Sequence, residues 1–373
     1  MSSPREHKPP AGRPPAPEEP TTGVRPLASW VRHGAHRILD PQFNDRLDRY
    51  LSRRFTYRSR TQWVRMIEEG RIRVNGRAVR TSKRVRTGDH IEYLSEPRVE
   101  PAVDRGWRVL HEDDHLVAIE KPANLPVHPS GRYFRHTLLC LLLEARGETL
   151  DHPGVRIVHR LDRETSGIVL FGKDRLSTQR LASQFEARKV QKEYLLLVHG
   201  RPEEDAFLID APLGRNLESR VRKAMGVVPG GISAQTEFAV LGRGPEHALL
   251  LARPKTGRFH QIRVHVRHAG FPIVGDKLYG LDERLFLKLI EGRNFDAADR
   301  ERLMLDRQCL HAHRITVRHP GTRESVTYES PLPAEMGELA QRLGISSLGC
   351  GPICPTARIE GGAGTADVER TDR

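Results

Sequence analysis

Between Val155 and Phe171 the chain sets two β-rich runs on either side of a polar break, and this stretch constrains the fold more than any other. Val155, Ile157 and Val158 lead in, Ile168-Val169-Leu170-Phe171 lead out, and Thr165-Ser166-Gly167 supplies the turn chemistry between them. Carried on that connection is His159-Arg160-Leu161-Asp162-Arg163-Glu164, which places one carboxylate between two guanidinium groups. A nearby arginine favours the ionised form, so Asp162 is expected to be charged at neutral pH and available as a nucleophile or base. A lone turn aspartate more often ties up backbone N–H groups. The chemical reading of Asp162 therefore depends on the rest of the chain.

Further strands are expected at Val109–Leu110, Leu116–Ile119, Lys192–Val198, Gln235–Leu241, Ala248–Arg253, Leu310–Val317 and Ser325–Tyr328. Helical signals are fewer. Asp174 reads as the cap of a helix on which Leu181 and Phe185 share a face. His260, Arg263, Val264 and Arg267 fall on one face of a second helix; Ile262, Val266 and Ala269 line another, and Gly270 is the stop. The pattern predicts an α+β domain with a mixed, mainly antiparallel sheet over residues 107–344, in which one face of the second helix packs while its neighbour carries Arg263 toward a site. There is no internal repeat.

The N-terminal part reads differently. Residues 1–27 hold eight prolines among polar residues and are expected to be a disordered tail. From residue 28 to 94 a second, smaller domain of mixed α/β type is expected. Leu47, Tyr50 and Leu51, then Trp63, Met66 and Ile67, repeat a helical spacing; Gly70 ends the second helix. Ile72-Arg73-Val74-Asn75-Gly76-Arg77-Ala78-Val79 reads as a hairpin around a type I′ Asn-Gly turn, and Val85–Leu94 as one more strand. Residues 95–106, with Pro97 and Pro101, read as a linker, and 345–373 as a second disordered tail.

Charge separates these parts. The formal net charge is +13, and residues 46–94 alone carry fourteen Lys/Arg against five Asp/Glu. A basic module of this kind points to a polyanionic partner. Arg53, Arg54, Arg58, Arg60, Arg65, Arg73 and Arg77 are the candidate phosphate contacts, since guanidinium groups grip phosphate in bidentate fashion. The longest apolar run, Leu138 to Leu143, is far too short to span a membrane, and no membrane partner is expected. Four cysteines make no disulfide framework, and Cys350 and Cys354 lack the second pair that a zinc site needs, so a cytoplasmic protein without metal is expected. The histidines His260, His265 and His268 are likewise kept out of metal roles.

The basic module resembles the S4 RNA-binding domain, on Arg46-Leu47-Asp48, the helix running to Gly70, Ile72-Arg73-Val74-Asn75-Gly76 and Gly88-Asp89. The larger domain resembles the RluA-type pseudouridine synthases, on His159-Arg160-Leu161-Asp162, on Glu120-Lys121-Pro122 with Val127-His128-Pro129, on Lys192-Glu193-Tyr194, and on Pro254 to His265 followed by Gly275-Asp276-Lys277-Leu278-Tyr279-Gly280. The resemblance implies a pseudouridine-synthase fold and an RNA isomerase without cofactor. It casts Asp162 as the catalytic residue, Arg263 as its partner and Tyr194 as the ring against the target base, also a candidate to help with the C5 proton. Arg160, His159, Arg258, His260 and Gln261 become substrate-binding candidates. Phe259 is a departure, standing where such enzymes often have Thr or Ser.

The resemblance leaves open whether Asp162 attacks the ribose C1′, attacks uracil C6, or assists glycal formation. A monomer acting on RNA is expected, with large-subunit ribosomal RNA as the target and tRNA as the alternative. The rival from another class is a non-catalytic RNA-binding or ribosome-assembly factor, which the basic module alone would support. A glycosidase ranks last, because it needs a second positioned carboxylate and Glu164 lies on the same turn as Asp162.

Overall fold

The computed structural model describes residues 31–39, 43–55, 58–95, 100–150 and 153–347. The tail expected over residues 1–27, and Cys350 and Cys354, lie outside the described residues. Contacts divide the chain into two units between Val99 and Glu100.

In the first unit the two expected helices form at Leu47–Arg54 and Arg60–Glu68, with a Ser59–Gln62 capping box starting the second. Leu47, Tyr50, Leu51, Trp63, Met66 and Ile67 all face inward and make one core with Ile72, Val74, Val85 and Ile91. Asn75 and Gly76 both take positive φ, 53° and 76°, as a type I′ turn demands, and join Ile72–Val74 to Arg77–Ala78. The single strand expected over Val85–Leu94 is instead two. Arg84–Arg86 pairs with Asn44–Arg46, whereas His90–Ser95 pairs with Ile72–Val74 and with a strand at Val31–Arg37. The break follows from Asp89, whose carboxylate accepts the Arg86 N–H and the Asn75 side-chain amide and so folds the backbone into a turn.

The second unit is built on an eleven-stranded sheet. Its main path runs Ala206–Asp210, Gln235–Arg243, His247–Pro254, Gln191–His199, Leu310–Arg318, Ser166–Gly172, Leu116–Lys121, Arg108–Glu112. Neighbours along this path are antiparallel except where Ser166–Gly172 meets Leu310–Arg318 in parallel. The mainly antiparallel mixed sheet and the α+β class expected from the sequence are what the chain forms. At the parallel junction only glycine fits at Gly167: its φ is 109° and a Cβ there would lie 2.2 Å from the Ala312 carbonyl oxygen.

Two boundaries differ from expectation. Residues from Glu100 onward belong to the second unit, because the Glu100 carboxylate accepts the backbone N–H groups of Phe134, Arg135 and His136. At the other end the fold continues past residue 344: Ile345 packs against the core, and Ser346 and Ser347 pair with Arg243 and Gly242.

The helix carrying Arg263, Gln261–His268, is buried on more sides than a one-face pattern suggests. Ile262 and Val266 pack into the main core and Val264 into a separate cluster with Leu213, Leu278 and Tyr279. His265 is fully buried between Thr236 and the Ala211 carbonyl. Arg263 is therefore held inside the fold, not presented from an open face.

Candidate active site

The turn that carries Asp162 is clamped from behind. The fully buried Lys121 extends from the end of its strand to donate to the Pro122 and Arg163 carbonyls, at 2.9 and 3.1 Å, and the Leu125 N–H donates to the same Arg163 oxygen. Burial pulls the Lys121 ammonium down to about 7. Glu164, next to Asp162's neighbour, pairs with Arg163 at 2.6 Å and with Lys277 at 2.8 Å. Thr165 accepts from the Gln308 amide, and Ser166 bonds His311. Every residue from 163 to 166 is thus tied to the body, and Asp162 faces the cavity, which Glu164 and Glu186 also line.

Arg263 meets it there. Its Nη1 donates to Asp162 Oδ2 at 2.8 Å, while Nε and Nη2 grip Asp276 at 2.6 and 2.8 Å. Asp276 is fully enclosed and also accepts the backbone N–H groups of Leu278 and Tyr279. Burial works against the ionised form of both carboxylates, but the arginine between them prevails and holds each below its ordinary value. Burial likewise works against the Arg263 charge, and Asp276, then Asp162, more than offset it. The guanidinium also lies 4.8 Å from the centre of the Tyr279 ring.

Tyr194 reaches the same cavity from Gln191–His199, which Leu310–Arg318 separates from Ser166–Gly172. A bulge between Glu193 and Tyr194 shifts its register, so that Tyr194 and Gly167 both stand opposite Ala312, one on each side of it. Burial, and then the Asp162 charge, raise the phenol well above its ordinary range, so it keeps its proton at neutral pH.

His260 begins the Arg263 helix in a left-handed conformation, φ 57°. Its Nδ1 is 2.7 Å from the Tyr279 hydroxyl, which itself accepts the Met225 N–H, and its Nε2 lies 3.8 Å from Asp162 Oδ2. Burial, with Arg263 nearby, pulls the imidazole down to about 4 and leaves it neutral.

The other substrate-binding candidates divide. Arg160 is exposed at the cavity wall and bonds His128 at 3.0 Å. His159 lines the cavity, yet its Nε2 accepts the Leu170 N–H and its ring stacks on Phe185 at 4.6 Å. Burial takes it down to about 3. Arg258 lines the cavity and donates to the Ser233 carbonyl. Gln261 does not line it; buried, it bonds Thr256, Thr236, the Arg258 N–H and the Gln235 carbonyl.

The cavity that joins these groups measures about 940 Å³, and ten Lys/Arg line it against three carboxylates. Among the described residues, no three His, Cys, Asp or Glu side chains group so as to hold a metal ion, and no helix is long and apolar enough to cross a membrane.

In the first unit Arg53, Arg54, Arg60, Arg65 and Arg77 are exposed, with Arg58 and Arg73 half-buried. Arg60 is committed to the buried Asp48 at 2.6 Å, Arg53 reaches Asp45 and Arg65 reaches Glu69. Lys121, Asp276 and Tyr279 lie within the sequence motifs, but no role for them follows from the sequence. The nearest signal is that of Asp276, a carboxylate following Gly275 in a segment already matched to the Arg263 motif.

Residues 115–268 match the RNA pseudouridylate synthase family and residues 45–91 the S4 domain. The chain is 32% identical to an RNA pseudouridine synthase of Bacillus subtilis over 82% of its own length and 96% of that protein's. It is 37% identical to an RNA pseudouridine synthase of Chloroflexus aurantiacus, over 81% and 91% of the two chains. Ribosomal large subunit pseudouridine synthase D of Nitrosomonas europaea is 35% identical over 80% and 84%. The chain belongs to the RluA-type RNA pseudouridine synthases, with an S4 domain ahead of the catalytic one. It is an enzyme that isomerises uridine in RNA.

Proposed function

We propose that this enzyme converts uridines of large-subunit ribosomal RNA to pseudouridine, with Asp162 as the nucleophile, acting as a cytoplasmic monomer. One observation carries the site assignment: Asp162 is the carboxylate that Arg263 holds ionised at 2.8 Å on the wall of a cation-lined cavity. Uridine isomerisation breaks the N1–C1′ bond and forms a C5–C1′ bond; in net terms C5 loses a proton and N1 gains one. A carboxylate that is already ionised and clamped can bond to the nucleoside and be released again without a change in its own protonation.

The target uridine leaves its stack to enter the cavity, at a cost of a few kcal/mol that pocket contacts offset. Tyr194, with its proton on, forms a wall against the base and a hydrogen-bond donor beside it. The exposed arginines of the S4 unit, Arg65 among them at 82% side-chain exposure, give general affinity for the phosphate backbone. Ribosomal RNA is favoured over tRNA by the names of the relatives from Nitrosomonas europaea and Pseudomonas aeruginosa, both called ribosomal large subunit pseudouridine synthase D.

Mapping pseudouridine in ribosomal RNA and tRNA from cells carrying wild type, Asp162→Asn or no enzyme tests both parts. Sites present with wild type and lost with Asp162→Asn, in large-subunit RNA, are the expected result. Sites that persist in Asp162→Asn remove the nucleophile assignment, and sites confined to tRNA remove the substrate assignment.

A further inference from the structure

Phe259 is the departure within the Pro254–His265 motif, and it is a large apolar side chain left partly open to solvent. It is 43% exposed, yet it lines the same cavity as Asp162. A single exposed apolar residue is ordinary on a protein surface. This one is preorganised: its ring stacks on the His260 imidazole, centroids 3.7 Å apart and planes 25° from parallel. His260 is in turn braced by the Tyr279 hydroxyl.

The loop beneath is pinned as well. The Gln261 side chain accepts from Thr256 Oγ1 at 2.6 Å and from the Arg258 N–H at 2.9 Å, and donates to Gln235 and Thr236 across the adjoining strand. Lys255 and Arg258 stand on this loop and line the cavity. A rigid aromatic ring beside cations on the wall of the Asp162 cavity is the arrangement that takes an unpaired base by stacking.

The chemistry of the reaction supplies the occupant. Drawing one uridine out of its stack bares the face of the base next to it, and that face needs a new partner. We propose that Phe259 is a stacking platform for the base of the unpaired nucleotide adjoining the target uridine, a contact that a Thr or Ser at this position would not make. The proposal rests on the reading of the Asp162 cavity as the uridine site.

The full-length enzyme with Phe259→Trp, Phe259→Leu and Phe259→Ser tests it, each variant checked for an unchanged melting temperature. Two probes are used: an in vitro transcript of large-subunit ribosomal RNA for turnover, and stem-loop RNAs with one loop uridine flanked by 2-aminopurine on its 5′ or its 3′ side. Stacking predicts that wild type and Phe259→Trp quench the 2-aminopurine at one flank while Phe259→Leu and Phe259→Ser do not. KM for the transcript should rise about tenfold in the Leu and Ser variants, with the effect on KM rather than kcat. A wild-type enzyme that forms pseudouridine but shows the same quenching and KM as Phe259→Leu overturns the platform alone. A wild type that forms none in any RNA removes the underlying reading and the platform with it.

Discussion

The two units of this protein use arginine in opposite ways. In the S4 unit Arg53 and Arg65 are 76% and 82% exposed and each meets one carboxylate at the surface. In the catalytic unit Arg263 is 9% exposed and meets two carboxylates, one of them wholly enclosed. Exposed pairs are screened by water and worth about 1 kcal/mol or less. A buried charge that loses its partner is worth several times that, because water no longer reaches it. Identical side chains are solvent-screened or fixed in place according to how deeply they are buried and how many carboxylates they meet.

The largest effect is expected from Arg263→Ala. It strands Asp276 and Asp162 without a counter-charge, so stability should fall by about 3–5 kcal/mol in denaturant titrations and turnover should be lost. A loss under about 1 kcal/mol would show that Arg263 behaves like a surface arginine after all.

Asp276→Asn touches no substrate yet loosens the grip on Arg263. The expected result is a fall in kcat of about a hundredfold with KM little changed, since a small misplacement of the clamp is felt at Asp162. An equal rise in KM would place Asp276 in binding.

The pH dependence separates burial from pairing. Asp162 is held below its ordinary value of 3.8, so its carboxylate should stay ionised and kcat/KM should show no Asp162 limb down to about pH 5. The associated stability is present above the unfolded value and lost only as the pH falls through the lower folded one. In any residual activity of Arg263→Ala, burial loses the largest influence opposing it and the acid limb should move upward. A downward move or none would mean that burial is not what opposes Arg263 at this carboxylate.

Arg65→Ala should change stability by less than about 1 kcal/mol and leave turnover on a short RNA oligonucleotide intact, while lowering the salt dependence of RNA binding by about 0.7–0.9 in slope for a lost phosphate contact. An unchanged slope would remove Arg65 from the interface.

Much of the site was readable in order along the chain. Asp162, Tyr194 and Arg263 each stood in a motif, and the pairing of Asp162 with Arg263, 101 positions apart, followed from the family resemblance. The place of Gln261 in the same motif suggests a substrate contact, whereas the fold divides its bonds between the loop beneath Phe259 and the strand at Gln235 and Thr236. A lysine after a strand is ordinarily solvated, so nothing local marks Lys121. Only burial beneath the Arg163 carbonyl makes it a clamp.

Local pattern alone determined what short-range physics controls: the S4 helices and their inward faces, the Asn75-Gly76 turn, most strands of the sheet and the basic character of the first unit. Tertiary structure decided what depends on distant partners. The split of Val85–Leu94 required Asp89 to choose Arg86 and Asn75. The parallel junction required Ser166–Gly172 to lie beside a strand more than a hundred residues onward. The helix at Gln261–His268 shows the limit most directly: its periodicity marks one apolar stripe, and only the surrounding elements bury its other faces. Periodicity records where a side chain points from its own backbone, while burial and charge pairing record what else has arrived there.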